Sequence, residues 1–135
     1  MTGQIQAEYR KILLLDIPAP EQLERIMDVT VESLFRQRIL LTVILNYLLH
    51  LKQSGERVSR RITRHTYRVR RLFLILLMRG MERGEFHALD LAVADNLLYS
   101  QLESVIFQIT VTERADCAAS KAEIHMLIEG LKRVG

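Results

Sequence analysis

The sequence of 135 residues has few residues that cross-link a chain or interrupt a helix: one cysteine, two prolines and six glycines. It also has no tryptophan. The single cysteine, Cys117, excludes a disulfide within the chain and favours a reducing compartment, so we expect a cytoplasmic protein. So few prolines and glycines favour long helices. The most apolar run, 39–51, is shorter than the roughly 20 residues that a membrane span needs, and the polar first ten residues lack a secretory leader. We therefore expect no membrane partner.

Apolar residues recur with the helical period along the whole chain, and no run alternates as a strand would. The length fits one domain, so the sequence predicts an all-α bundle of about six helices that spans residues 1–135. Gly84 is expected to end the fourth helix, and the Ser120–Glu123 capping box is expected to begin the sixth. The predicted helices are Gln4–Leu15, Pro20–Phe35, Ile39–Gln53, Glu56–Arg83, Leu89–Val111 and Lys121–Val134.

Two of these helices are apolar on more than one side. The third is apolar almost all round, which is typical of a helix buried at the centre of a domain. The fifth carries one apolar stripe for the core and a surplus that includes Val93, Leu97 and Phe107. A second copy of the chain is the simplest partner for that surplus, so we expect a homodimer.

No catalytic motif is present: the sequence lacks a nucleophile elbow, a glycine-rich phosphate loop and a Cys-x-x-Cys pair. The four histidines show no metal-ligand spacing. His125 and Glu129 lie four residues apart, which indicates a surface contact rather than a zinc site of three or four ligands. We therefore expect no enzyme activity, no metal and no cofactor.

Arginines form a stripe along one face of the fourth helix, from Arg57 through Arg61, Arg64 and Arg68 to Arg71. Such a stripe has two interpretations: a surface that tracks nucleic-acid phosphates, or a solvated face of a long amphipathic helix. Few aromatic residues lie between the arginines to stack on bases. The solvated face is therefore the favoured interpretation, and nucleic-acid binding through this stripe is the less favoured one.

Several motifs, in order, resemble the C-terminal domain of TetR-family transcription regulators. Ala19-Pro20-Glu21-Gln22-Leu23 resembles the start of that family's fifth helix. The segment from Leu72 through Gly84-Glu85-Phe86 to Asp90 resembles its seventh helix and the turn into the eighth, and Leu127–Leu131 resembles its closing helix.

The resemblance implies a regulatory domain that binds a small apolar effector and homodimerises through its last two long helices. Polar residues among apolar neighbours would then orient a ligand, although in a plain bundle they would be satisfied core groups. The implied ligand-binding residues are Met27, Val31, Phe35, Tyr47, His50, Phe73, Leu77 and Tyr99. The implied dimer-interface residues are Leu98, Leu102, Val105, Ile109, Leu127 and Leu131.

The sequence departs from the family because the N-terminal helix-turn-helix head is absent. We expect either a fragment or a headless protein, which would reach DNA only through the missing domain. The alternative function is a structural or adaptor bundle that pairs with partner proteins.

Overall fold

The computed structural model describes the backbone of residues 2–50, 55–112 and 116–132, and the side chains of 4–47, 67–112 and 116–132. The protein is an all-α helical bundle, as predicted, and no strand occurs in these ranges. A five-residue π-helical turn, Gln108–Thr112, extends the fifth helix. The helices are α1 (Thr2–Leu13), α2 (Ala19–Arg36), α3 (Arg38–His50), α4 (Gly55–Glu82), α5 (Leu91–Phe107) and α6 (Cys117–Leu131).

Helix α2 lies at the centre of the bundle and packs against α6, α4 and α1. Its apolar residues recur every three or four positions, so they form one stripe that is buried while the opposite side faces water. Leu23, Ile26, Met27 and Val31 have no exposed surface. The rest of the core comes mainly from Phe73, Leu76, Leu77, Leu98, Ile124 and Ile128.

Two side chains, those of Glu85 and Gln22, hydrogen-bond backbone groups that the ends of α1 and α2 leave free. Pro18 precedes α2 and makes no side-chain cap, and Glu85 Oε1 accepts a hydrogen bond from the Ala19 N–H at 3.0 Å instead. Buried Gln22 donates from Nε2 to the carbonyl of Ile12 at 3.2 Å and accepts from Arg79 Nη1 at 3.2 Å. These bonds tie the end of α1, the start of α2 and the end of α4 together.

Gly84 ends α4 as the sequence predicts. Its φ of 71° lies in the left-handed region, which glycine adopts without a steric penalty. The Glu85 N–H bonds to the Gly80 carbonyl at 2.8 Å and the Gly84 N–H to that of Met81 at 3.1 Å, which is a Schellman ending. The chain then folds back so that the buried Phe86 ring lies against Gly80.

The predicted start of α6 is wrong. The helix begins at Cys117, four residues earlier than Lys121, and its cap is Asp116, whose carboxylate accepts from the Ala119 N–H at 3.2 Å. Ser120 is buried inside the helix rather than capping it. An aspartate at this position bonds a free N–H of the first turn, which makes it as good a cap as serine.

The expected burial of the third helix is also wrong. None of its described side chains, 38–47, is buried, and Ile39, Val43 and Tyr47 are between 58% and 75% exposed. Helix α3 contacts the π turn and the end of α2, so only a narrow side of it is covered. A row of apolar side chains of α3 therefore faces solvent.

Among the described residues, no helix combines the length and the apolar character that crossing a bilayer requires.

Candidate functional site

The predicted ligand-binding residues do not form one open pocket. Met27, Val31, Phe73 and Leu77 have no exposed surface and pack in the core. The structure therefore places these four residues in the packed core, and their role in ligand binding stays a prediction.

The other four predicted residues are spread over the molecule. Phe35 is half-buried and lines a groove, whereas Tyr47 is exposed on α3. Tyr99 is half-buried on α5, where the Arg70 guanidinium lies 4.6 Å from its ring centre. The side chain of His50 lies outside the described residues. Of the predicted residues whose side chains are described, Phe35 lines this groove, whereas Tyr47 and Tyr99 do not.

A groove of about 810 Å³ lies where the α2–α3 junction meets the π turn and the start of α6. Its walls are mostly apolar, and Arg38, Thr42 and Asp116 supply polar groups. This volume falls within the range of about 300–1,000 Å³ that small-molecule sites occupy. Its lining residues are Phe35, Arg38, Ile39, Thr42, Val43, Ile109, Asp116 and Cys117.

The floor of the groove coincides with the π turn. Ile109 lies in this turn and is nearly buried, so the turn presents an apolar side chain to the groove while its backbone departs from the α-helical pattern. Single π turns inside α-helices occur often at functional sites. A second depression, of about 550 Å³, shares Asp116 and extends along the π turn to Ala119 and Glu123. Neither cavity can be predicted from the sequence, because a π turn leaves no clear signal in the pattern of apolar residues.

The structure places the predicted dimer-interface residues against the protomer's own core. Leu98, Leu102, Val105, Ile109 and Leu131 are buried in that core, and Leu127 is partly buried against it. These side chains leave little surface for a partner, so a second copy would find more exposed apolar surface on the opposite side of α5.

The opposite side of α5 carries a second stripe, which we call the outer stripe. Its residues alternate at four- and three-residue steps, which is the heptad spacing of helices that pair. All six are exposed: Val93, Leu97, Ser100, Ser104, Phe107 and Val111. The four apolar ones are 42% to 58% exposed. The core stripe of α5 also recurs at three- and four-residue steps, so the exposure of the side chains is what distinguishes the outer stripe from it.

A polar cluster joins α4 to α5 beside the outer stripe. Arg70 donates to Asp95 Oδ2 from Nε at 3.0 Å and from Nη2 at 2.8 Å, and Nη2 also bonds Asn96. Asp95 is buried, and its Oδ1 has no partner among the described residues. The guanidinium also lies over Tyr99, so one arginine sets the position of α4 against α5 through charge and ring contacts.

Acidic residues of α2 face basic residues of α6 along the seam between these antiparallel helices. His125 Nε2 lies 2.8 Å from Asp28 Oδ1, and Lys121 is hydrogen-bonded to Glu32. The Glu32 contact raises the pKa of Lys121, because the carboxylate stabilises the ammonium. His125 therefore bonds Asp28 across the seam.

Other predicted features are only partly described. No group of three or more histidine, cysteine, aspartate or glutamate residues suited to a metal occurs among the described residues. In the arginine stripe, the side chains of Arg57, Arg61 and Arg64 lie outside the described part, whereas Arg68 and Arg71 are exposed.

Comparisons with models of known protein families, with curated proteins and with solved structures found no match to this chain.

Proposed function

We propose that this protein is a regulatory helical domain that acts by binding: it homodimerises through the outer stripe of α5 and takes up a small apolar effector in the groove beside the π turn. The observation that carries the proposal is the outer stripe, an exposed heptad row of apolar and small residues. The resemblance to the TetR C-terminal domain supports the same activity, with DNA contact left to a separate head domain.

The composition of the outer stripe suits a helix pair. Heptad spacing keeps the stripe facing a partner helix over several turns, and such pairs cross at about 20°. Ser100 and Ser104 are small, so two helices can approach closely at the centre while Val93, Leu97 and Phe107 pack on either side. A two-fold dimer would bury the same stripe of both copies.

The dimer is tested by native mass spectrometry of the wild-type chain and of Leu97→Glu. We expect about twice 15.7 kDa for the wild type and the monomer mass for the variant, because a dimer would bury the introduced charge. Leu14→Glu is the matched control, since Leu14 is 86% exposed in the turn after α1 and its variant should stay dimeric. A wild-type monomer, or a Leu97→Glu dimer, would refute the outer stripe as the interface.

An adaptor bundle that binds other proteins is the second candidate. The exposed apolar residues of α3 favour it, because they form an apolar face separate from the outer stripe. A wild-type monomer that binds no apolar compound would make the adaptor the better interpretation.

A further inference from the structure

The groove beside the π turn holds one cationic side chain among apolar walls. We infer that the groove binds an amphipathic monocarboxylate, whose aliphatic or aromatic body lies on Phe35, Val43 and Ile109 and whose carboxylate pairs with Arg38. This inference rests on the proposed effector binding and assigns its ligand class.

Arg38 is placed to receive an anion. Its Nη1 donates to the Phe35 carbonyl at 3.2 Å, which holds the guanidinium at the α2–α3 junction. A guanidinium has five N–H donors, and no carboxylate of the described residues lies within 4.0 Å of this one. The planar fork of arginine matches the two oxygens of a carboxylate, so the guanidinium can bind one in a bidentate contact.

The acidic residue of the groove is already engaged. Asp116 caps α6 by accepting from the Ala119 N–H, and its charge lies at the positive end of the α6 dipole. A cationic ligand would have to compete with that cap for Asp116 Oδ1, whereas Arg38 has N–H donors beyond the one that bonds the Phe35 carbonyl. These donors of Arg38 therefore favour an acid over an amine.

The only cysteine of the sequence reports on the groove directly. Cys117 lines it and is half-buried, so a bound molecule should shield its thiol. The rate of Cys117 modification by N-ethylmaleimide, an uncharged reagent, is measured with increasing decanoate below its micelle concentration. Decanamide and decylamine serve as neutral and cationic probes of the same chain length.

We expect decanoate to slow the modification in a saturable way, with an apparent affinity about tenfold above that of decanamide, the gain from one hydrogen-bonded ion pair. Arg38→Gln should remove this preference. Arg36→Gln should keep it, because Arg36 is an exposed arginine that does not line the groove. Each rate is compared with that of the same variant without ligand, which cancels any change in thiol reactivity.

Equal protection by decanoate and decanamide, or no protection by either, would overturn the inference. Stronger protection by decylamine would assign the site to Asp116 and would also overturn it. Protection that rises with protein concentration in the absence of ligand would show that a second copy covers the groove instead. Native mass spectrometry of the same samples reports the dimer separately, so failure of ligand binding and failure of the outer-stripe interface are told apart.

Discussion

Helices α2 and α3 follow each other with only Gln37 between them, yet they use apolar residues in opposite ways. Helix α2 alternates charged and apolar positions and has eight buried residues. Helix α3 has no charged residue between Arg38 and His50, yet none of its described side chains is buried. The more apolar helix is therefore the more exposed one.

The difference shows that the pattern of apolar residues, rather than their number, decides which helix a single protomer buries. A stripe on one side of α2 matches the concave surface that α1, α4 and α6 provide. Helix α3 has no polar side to turn toward water, so it exposes apolar residues on any side that the protomer leaves uncovered. Its residues Ile39 and Val43 form a wall of the groove in which we propose that a ligand binds.

The comparison is tested most strongly by the same substitution in both helices. Ile26 on α2 is fully buried, whereas Ile39 on α3 is 75% exposed. We expect Ile26→Ala to lower the free energy of unfolding by about 2–5 kcal/mol, because it leaves a cavity in the core. Ile39→Ala should change it by less than about 0.5 kcal/mol, as at other surface positions.

Both variants are measured by urea denaturation at low protein concentration, with the slope of the unfolding free energy compared to confirm that the unfolded states match. A large loss in Ile39→Ala would mean that α3 is covered in solution, by a second copy or by another part of the chain. The difference in side-chain exposure between α2 and α3 would then exist only in the isolated protomer.

Much of the fold follows from the sequence, and the candidate site follows less well. The helix period and Gly84 placed most of the helices, because these signals act within a few residues. In the sequence Gln22 looks like one more polar residue, although it is buried and bonds α1 and α4. Such contacts between distant segments leave no local pattern.

The positions of the site residues are hard to predict for a related reason. The sequence predicts Leu98 and Leu102 at a dimer interface, but α5 has two heptad stripes, and composition alone does not say which one the protomer buries. The buried stripe is the one that packs in the core where α5 meets α4 and α2, and α2 is distant in the sequence. The groove also depends on how α3, the π turn and α6 meet.

Gly80 lies in a closely packed position and Gly130 in an open one, so the same substitution at both compares the two kinds of position. An added Cβ at Gly80 would overlap the ring of Phe86, whereas one at Gly130 meets no atom within 4 Å. We expect Gly80→Ala to destabilise the protein by about 1–3 kcal/mol, because the buried ring has to move. Gly130→Ala should be neutral or stabilising by up to about 1 kcal/mol, since alanine is the better helix former.

Thermal and urea unfolding of the two glycine variants measure this difference. Gly80→Ala combined with Phe86→Leu should recover part of the loss, because the smaller side chain relieves the overlap. Equal stability of the two single variants would show that the turn after α4 is looser than the structure indicates.

The smallest expected effect concerns a hydrogen bond between buried side chains of α1 and α2. The described side chains of α3 make no buried hydrogen bond of this kind. Tyr9 and Thr30 are bonded at 2.6 Å in the core, and since the Thr30 hydroxyl donates to the Ile26 carbonyl at 2.7 Å, the Tyr9 hydroxyl is the donor. Tyr9→Phe should lower the free energy of unfolding by about 1 kcal/mol near pH 7.

The same bond makes a prediction about pH. Burial raises the pKa of Tyr9 above its ordinary value of 10.0. The folded protein thus keeps a proton that the unfolded chain releases, so the contribution of Tyr9 is complete below about pH 10 and is lost as pH increases through the folded-state pKa. Urea denaturation between pH 8 and about 11 should show a shallower decline in the free energy of unfolding for Tyr9→Phe than for the wild type.

Lys121 and Lys132, whose pKa values are also raised, titrate in both proteins, so only the difference between the two curves reports Tyr9. Parallel curves would show that the Tyr9 hydroxyl is accessible to water in the folded state, and the bond between α1 and α2 would then be weaker than its geometry indicates.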